Sequence, residues 1–208
     1  MDIKKPKDKI SLYKALDIGY TRNIDKQRKK LKKYGYVIDS ELTNPREHVV
    51  AYNPEKKKLL YISQGTDTGS AKSFVNDLAT DTIMGLGGLK KTKRYESEKN
   101  TLVKAREKYK PEEKNIALVG HSLGGAIVSS LAPSQSHAYT FDPAYAPGQK
   151  ARENVHNYRT HGDIFSMFAP DKNTTTLANV VESSKTRPVN WLLKTHEVEN
   201  AKDLPVFF

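Results

Sequence analysis

The sequence predicts an α/β fold, a mostly parallel central sheet with helices on both faces, on three observations. From about residue 48 onward, short apolar runs alternate with helix-like stretches, the pattern of strands joined by helical crossovers. One junction is explicit: in "NIALVGHSLGGAIVSSLA", residues 115–132, an apolar run of strand length passes through glycines into a helix-length segment. Finally, 208 residues with 37% hydrophobic content suffice to bury one sizeable core in a single domain.

The elements follow in order. Residues 1–45 are basic and are expected to form a helical extension of that domain, with a helix around Lys26–Lys33 ending at Gly35. "HVVAYNPEKKKLLYIS" is a hairpin, two β-rich runs about an Asn-Pro turn. A loop, a short amphipathic stretch and a glycine-rich apolar segment then make up "QGTDTGSAKSFVNDLATDTIMGLGG". "SEKNTLVKAREKYK" is a helix, with Ser97 at the N-cap and Pro111 just beyond its end. "NIALVG" is a buried strand, "LGGAIVSSLA" a helix, and "HAYTF" and "VHNYRT" are further strands before a mixed tail. There is no internal repeat.

Lys and Arg number 35 against 24 Asp and Glu, a net charge of +11, so the chain attracts polyanions, whether nucleic acid or an anionic lipid surface. The clusters "KKPKDK", "KQRKKLKK", "PEKKKL" and "LKKTKR" have the ordinary reading of solvated faces, and "PEKKKL" that of a hairpin turn. The absence of cysteine excludes disulfides, thiol nucleophiles and thiolate metal sites, and suits a reducing compartment. No apolar run approaches the ~18 residues of a membrane span, and the basic start lacks the apolar core of a secretory signal. A soluble protein, intracellular or particle-associated and at most peripheral to membranes, is expected.

Chemistry concentrates at Gly120-His121-Ser122-Leu123-Gly124, a G-x-S-x-G pattern with a strand before it and a helix after it. A serine at the tip of so sharp a turn projects its hydroxyl off the sheet, and the flanking glycines leave room for neighbouring backbone. The N–H of Leu123 then lies at a helix N-terminus, where it can stabilise a developing oxyanion. The plainer reading is a glycine-rich turn that only permits close packing. A serine hydroxyl needs a base, and the base an orienting acid. Where a serine sits on such a turn, the chain order is Ser, then acid, then His, which sets aside His48 and His121. His137 and His156 start strands, away from the carboxyl ends where sites form. His196 is favoured over His161 on order and spacing. Asp142 and Asp163 each follow a strand, the first and the second out from the nucleophile strand; Asp163 is preferred as the acid, with Asp142 as the alternative. The second oxyanion donor is expected from "LLYISQGTDTG", with Gly65 allowing close approach and Thr66 offering its N–H and hydroxyl.

These residues together resemble the class 3, fungal-type lipases of the α/β-hydrolase superfamily, over roughly residues 48–200. "VVAYNPEKKKLLYISQGT" resembles that family's early hairpin ending in the oxyanion residue, which falls on Thr66. "SFVNDLATD" resembles the segment forming or bordering the lid, and "VGHSLGGAIVSSLA" closely matches the nucleophile motif. "AYTFDPAYAPG" and "YRTHGDIFSMFAP" resemble the strand ends beyond it, the latter giving Asp163 as acid and His196 as base. The chain departs from the pattern with Gln64 where the family has Arg, with Asp142 where it has Gly, and in a short segment after Ser122.

The resemblance implies an α/β-hydrolase fold and a lipase- or phospholipase-type serine hydrolase acting on lipid esters without metal or organic cofactor. "MGLGGLKK" lacks the Lys-Ser/Thr spacing of a phosphate-cradling loop. An apolar run followed by lysines in "DTIMGLGGLKKTKR" suits a piece that opens at an anionic lipid interface; a buried loop is the plainer reading. The rivals are an inactive hydrolase-fold module binding anionic lipid or nucleic acid, and a lipid acyltransferase. Nucleic acid is disfavoured by the lack of an aromatic-interleaved basic motif or a helix-turn-helix signal. Oligomeric state is not legible.

Overall fold

The structure is a computed structural model that describes residues 9–66, 89–145, 148–163, 166–177, 197–202 and 204. The sheet has seven strands whose spatial order follows the chain: β1 (Val37–Ile38), β2 (His48–Asn53), β3 (Lys58–Ser63), β4 (Ile116–His121), β5 (His137–Phe141), β6 (Val155–Thr160) and β7 (Thr174–Leu177). β1, β2 and β3 pair antiparallel, and every pairing from β3 to β7 is parallel. The tight turn Pro54–Lys57 returns β3 against β2, whereas parallel partners need longer connections. Helix α3 (Lys93–Tyr109) lies between β3 and β4, and α4 (Leu123–Leu131) between β4 and β5.

Side chains alternate across the strands, and both faces are buried, as parallel sheets require. Leu60, Ile62, Ala117, Val119 and Phe141 face one core cluster. Leu59, Tyr61, Ile116 and Leu118 face the other, where Leu102 and Ala105 of α3 and Val128 of α4 cover them. α3 starts ahead of the expected Ser97: Thr92 is the N-cap, its side chain accepting from Tyr95 N–H at 3.1 Å, and Tyr95 and Glu98 are buried. Burial of Tyr95 and Glu98 draws the first turn into the helix and leaves Ser97 in its interior.

The basic N-terminal segment forms a layer of the same core. Helix α1 (Leu12–Gly19), capped by Ser11, buries the stripe Leu12, Ala15, Leu16 and Gly19 at helical spacing. Helix α2 (Ile24–Lys32), capped by Asn23, buries Gln27 and Leu31 and leaves Lys26, Lys29 and Lys32 exposed. β1 then joins the sheet edge. Gly19 is where α1 meets the sheet: a β-carbon there would lie 3.0 Å from Ile62 Cγ2, so the helix end approaches the end of β3 closely.

Leu16 is fully buried, so Leu16→Ala is expected to lower the unfolding free energy by about 2–5 kcal/mol. Lys26→Ala on exposed α2 should stay within about 0.5 kcal/mol. Urea unfolding of both variants checks this.

Candidate active site

The site begins where β4 ends at His121 and α4 begins at Leu123. Between them Ser122 has φ 54° and ψ −125°, a conformation that costs a non-glycine residue about 1–3 kcal/mol. The backbone is pinned there: Ser122 N–H donates to Phe141 C=O at 3.1 Å, and Ser122 C=O accepts from Ala126 N–H at 3.2 Å and Ala144 N–H at 3.0 Å. A β-carbon on Gly120 would lie 2.4 Å from the Gly124 carbonyl oxygen, and one on Gly124 would lie 2.4 Å from the carbonyl oxygens of both Ser63 and Gln64. Both glycines of the pattern are therefore sterically required. Ser122 is buried, and its Oγ has no hydrogen-bond partner among the described residues. Although serine is a favoured N-cap, Ser122 makes no capping bond to α4, so it leaves the first-turn amides, Leu123 among them, uncapped.

The end of β3 backs onto this serine. A β-carbon on Gly65 would lie 3.0 Å from Ser122 Cβ, 2.7 Å from Tyr20 Oη and 3.3 Å from His121 Nδ1. Gly65 N–H donates to Tyr20 Oη at 2.7 Å, and Tyr20 Oη is hydrogen-bonded to His121 Nδ1 at 2.7 Å. Half-buried Thr66 follows Gly65. On the other side, Gln64 C=O accepts from Arg94 Nη2. The same guanidinium donates to Glu47 C=O at 3.3 Å and, through Nε, to Glu98 Oε1 at 2.9 Å. Glu98 is fully buried; burial pushes its carboxyl upward, against the opposing pull of Arg94.

Both candidate acids lie at carboxyl ends of strands, in different surroundings. Asp142 follows β5 with φ 40° and is fully buried. Its Oδ1 accepts from Thr160 N–H at 2.6 Å and Ser166 Oγ at 3.4 Å, and its Oδ2 from Thr160 Oγ1 at 3.0 Å. Asp163 follows β6 and is also buried, with Oδ1 accepting from Ser166 N–H at 3.2 Å. It lines a cavity of about 270 Å³ together with His161, Met167 and Thr176.

His161 is exposed, its N–H bonded to Leu177 C=O at 2.9 Å. His196 lies outside the described residues, as do the lid-like "SFVNDLATD" and the apolar "DTIMGLGG". His137 opens β5, and its ring stacks near His156 on β6, with centroids 6.4 Å apart. Burial, and then the neighbouring His137, hold the His156 pKa down. His48 stacks on Tyr61 and bonds Leu42 C=O at 3.1 Å, its pKa lowered chiefly by burial. Among the described residues no three metal-ligating side chains stand together. Sequence reasoning missed Tyr20, Arg94 and Glu98. For the last two the i, i+4 spacing on α3 was a usable signal; for Tyr20 there was none.

No family model matches the chain, and no curated protein sequence matches it. Among solved structures it is similar to the extracellular lipase LipA from Serratia marcescens, with 17% identity and a TM-score of 0.51 over 86% of this chain. The chain spans 40% of that lipase. It is also similar to the Lip2 lipase from Yarrowia lipolytica, with 15% identity and a TM-score of 0.49 over 74% of this chain and 71% of that one. A carboxylesterase from Mesorhizobium loti aligns with 10% identity and a TM-score of 0.41 over 77% of this chain and 97% of that one. The sheet and its helices are those of an α/β-hydrolase fold.

Alanine is the better helix former by about 1 kcal/mol, but a β-carbon at Gly124 meets two carbonyl oxygens at 2.4 Å. Overpacking of this kind costs about 1–3 kcal/mol or more. Gly124→Ala is therefore expected to destabilise the protein, and denaturant unfolding reads the sign.

Proposed function

We propose that the chain is a serine hydrolase that cleaves carboxylic esters of lipids, in the manner of the class 3 lipases that its motifs resemble. One observation carries the reading: Ser122 is held in strained backbone at a strand-to-helix turn, its hydroxyl uncommitted among the described residues, with Gly65 packed against it. The fold shared with the Serratia lipase supports lipid esters as the substrate class.

In this reading Ser122 Oγ attacks the ester carbonyl carbon while His196 takes its proton. The oxyanion is held by Leu123 N–H and by Thr66. The intermediate collapses to an acyl-enzyme, and the departing alcohol takes the proton from His196. Water, deprotonated by the same histidine, then attacks the acyl-enzyme and releases the acid. Asp163 orients the imidazole and stabilises its charged form. The two carboxylates divide the work by environment. Asp163 accepts from Ser166 N–H and lines a cavity, and Asp142 accepts from Thr160 and from Ser166 Oγ away from it.

Ser122→Ala is expected to abolish ester turnover and labelling by a serine-directed fluorophosphonate while the fold persists. Asp163→Asn should lower turnover by on the order of 10⁴. Asp142→Asn should cost far less, because Thr160 Oγ1 can turn from donor to acceptor for the new amide. Labelling that survives in Ser122→Ala would overturn the nucleophile, and a reversed order of the two losses would move the acid to Asp142. Product analysis with added alcohol separates hydrolysis from acyl transfer.

We also propose that the substrate is met at an anionic lipid interface. Lys90 and Lys91 in the 3-10 turn Leu89–Lys91, and Lys93 in the first turn of α3, are exposed and carry no ion pair among the described residues. Cations are disfavoured at a helix N-terminus, where the dipole draws anions, so an anionic surface would relieve the arrangement. Each lysine near such a surface is worth about 1 kcal/mol. Changing all three to Gln should therefore weaken binding to anionic vesicles by about two orders of magnitude, and raised salt should do the same. Turnover of a soluble short-chain ester should stay unchanged. Equal loss on both substrates would assign the lysines to the site or the fold.

A further inference from the structure

We infer that Tyr20 is a positioning residue that holds the oxyanion loop in register with the nucleophile. The inference rests on the reading of Ser122 as nucleophile and Thr66 as oxyanion donor. Tyr20 follows the last turn of α1, an element with no residue in the proposed chemistry. The close approach at Gly19, described above, delivers its phenol to the end of β3. There a single oxygen joins the residue before the nucleophile to the residue before the oxyanion donor: His121 Nδ1 and Gly65 N–H each lie 2.7 Å from it.

The tie has two consequences. Gly65 N–H is spent on Tyr20, so it is not the amide that meets an oxyanion, and Thr66 is the next donor along the chain. The phenol accepts from Gly65 N–H and is also hydrogen-bonded to His121 Nδ1, so one oxygen ties the imidazole to the loop after β3. The two halves of the oxyanion hole lie on different strands, Thr66 after β3 and Leu123 after β4. Oxyanion stabilisation depends on donors fixed before the reaction, and Tyr20 supplies a hydrogen-bonded bridge between those strand ends. His121 is itself held by its rings' neighbours: it meets Tyr20 edge-on at 5.7 Å and stacks on Phe141 at 5.9 Å between centroids.

Tyr20→Phe removes the oxygen and keeps the ring. Its kcat per titrated active site on 4-nitrophenyl butyrate is expected to fall about 10- to 100-fold, the cost of a small misplacement of a catalytic donor. KM should change by less than about twofold, because the ground-state ester does not need the hole. Amide hydrogen exchange at Gly65 should accelerate, while Ile62 and Val119 in the adjoining strands keep their protection and so report an intact core. If the wild type turns over, Ser122→Ala does not, and Tyr20→Phe matches the wild type in kcat, the positioning role is overturned and the hydrolase reading stands. Unchanged exchange at Gly65 also overturns it. A wild type without ester turnover overturns the hydrolase reading and the catalytic role of the tie together, while Gly65 exchange still tells whether the tie exists.

Discussion

The site depends on a backbone contact that only glycine permits. The first turn of α4 is pressed so closely onto the end of β3 that a β-carbon on Gly124 would lie 2.4 Å from two carbonyl oxygens. On its other side Gly125 abuts Pro143, whose β-carbon would lie 2.9 Å from an added one. Two consecutive glycines at a helix start each forgo about 1 kcal/mol of helix propensity. In return the helix N-terminus, the loop after β3 and the strained Ser122 meet at one point. The positive φ of Ser122 is sustained by its bonds to Phe141, Ala126 and Ala144, so the strain is held by the ends of β4 and β5 and by α4.

A second constraint lies beneath the loop. Arg94 on α3 reaches the Gln64 carbonyl and pairs with buried Glu98. Burying such a pair contributes little net stability, but losing one partner strands the other charge and costs about 3–5 kcal/mol. The pair is better understood as fixing where α3 docks against the end of β3.

Local signals were legible in the sequence and long-range ones were not. The hairpin of β2 and β3, the strands β4 to β6 and the helix after Ser122 each carry their pattern within a few residues. β1 is two residues long, and β7 reads Thr-Thr-Thr-Leu, with too little apolar alternation to mark a strand. The start of α3 is ambiguous in the sequence because Thr92 and Ser97 are both good caps, and only burial of Tyr95 and Glu98 decides between them. α1 was obscured by the surrounding lysines, although its apolar stripe is at helical spacing. The Tyr20 contacts span 45 and 101 residues, and no local pattern encodes them.

The run "LKKTKR" shows how one basic cluster divides its work by phase and by chemistry. Lys90, Lys91 and Lys93 are exposed, while Arg94, on the buried side of the same turn, is half-buried. The inward position needs a planar group with several donors, because it must serve the Glu98 carboxylate and the carbonyls of Gln64 and Glu47 at once. A lysine there would be a single point charge unable to span three acceptors. The outward positions need only charge, which a mobile ammonium in water supplies. The +11 net charge is therefore not one property. Its exposed part lies in water, and its inward arginine is spent on holding the carbonyl one residue ahead of Gly65.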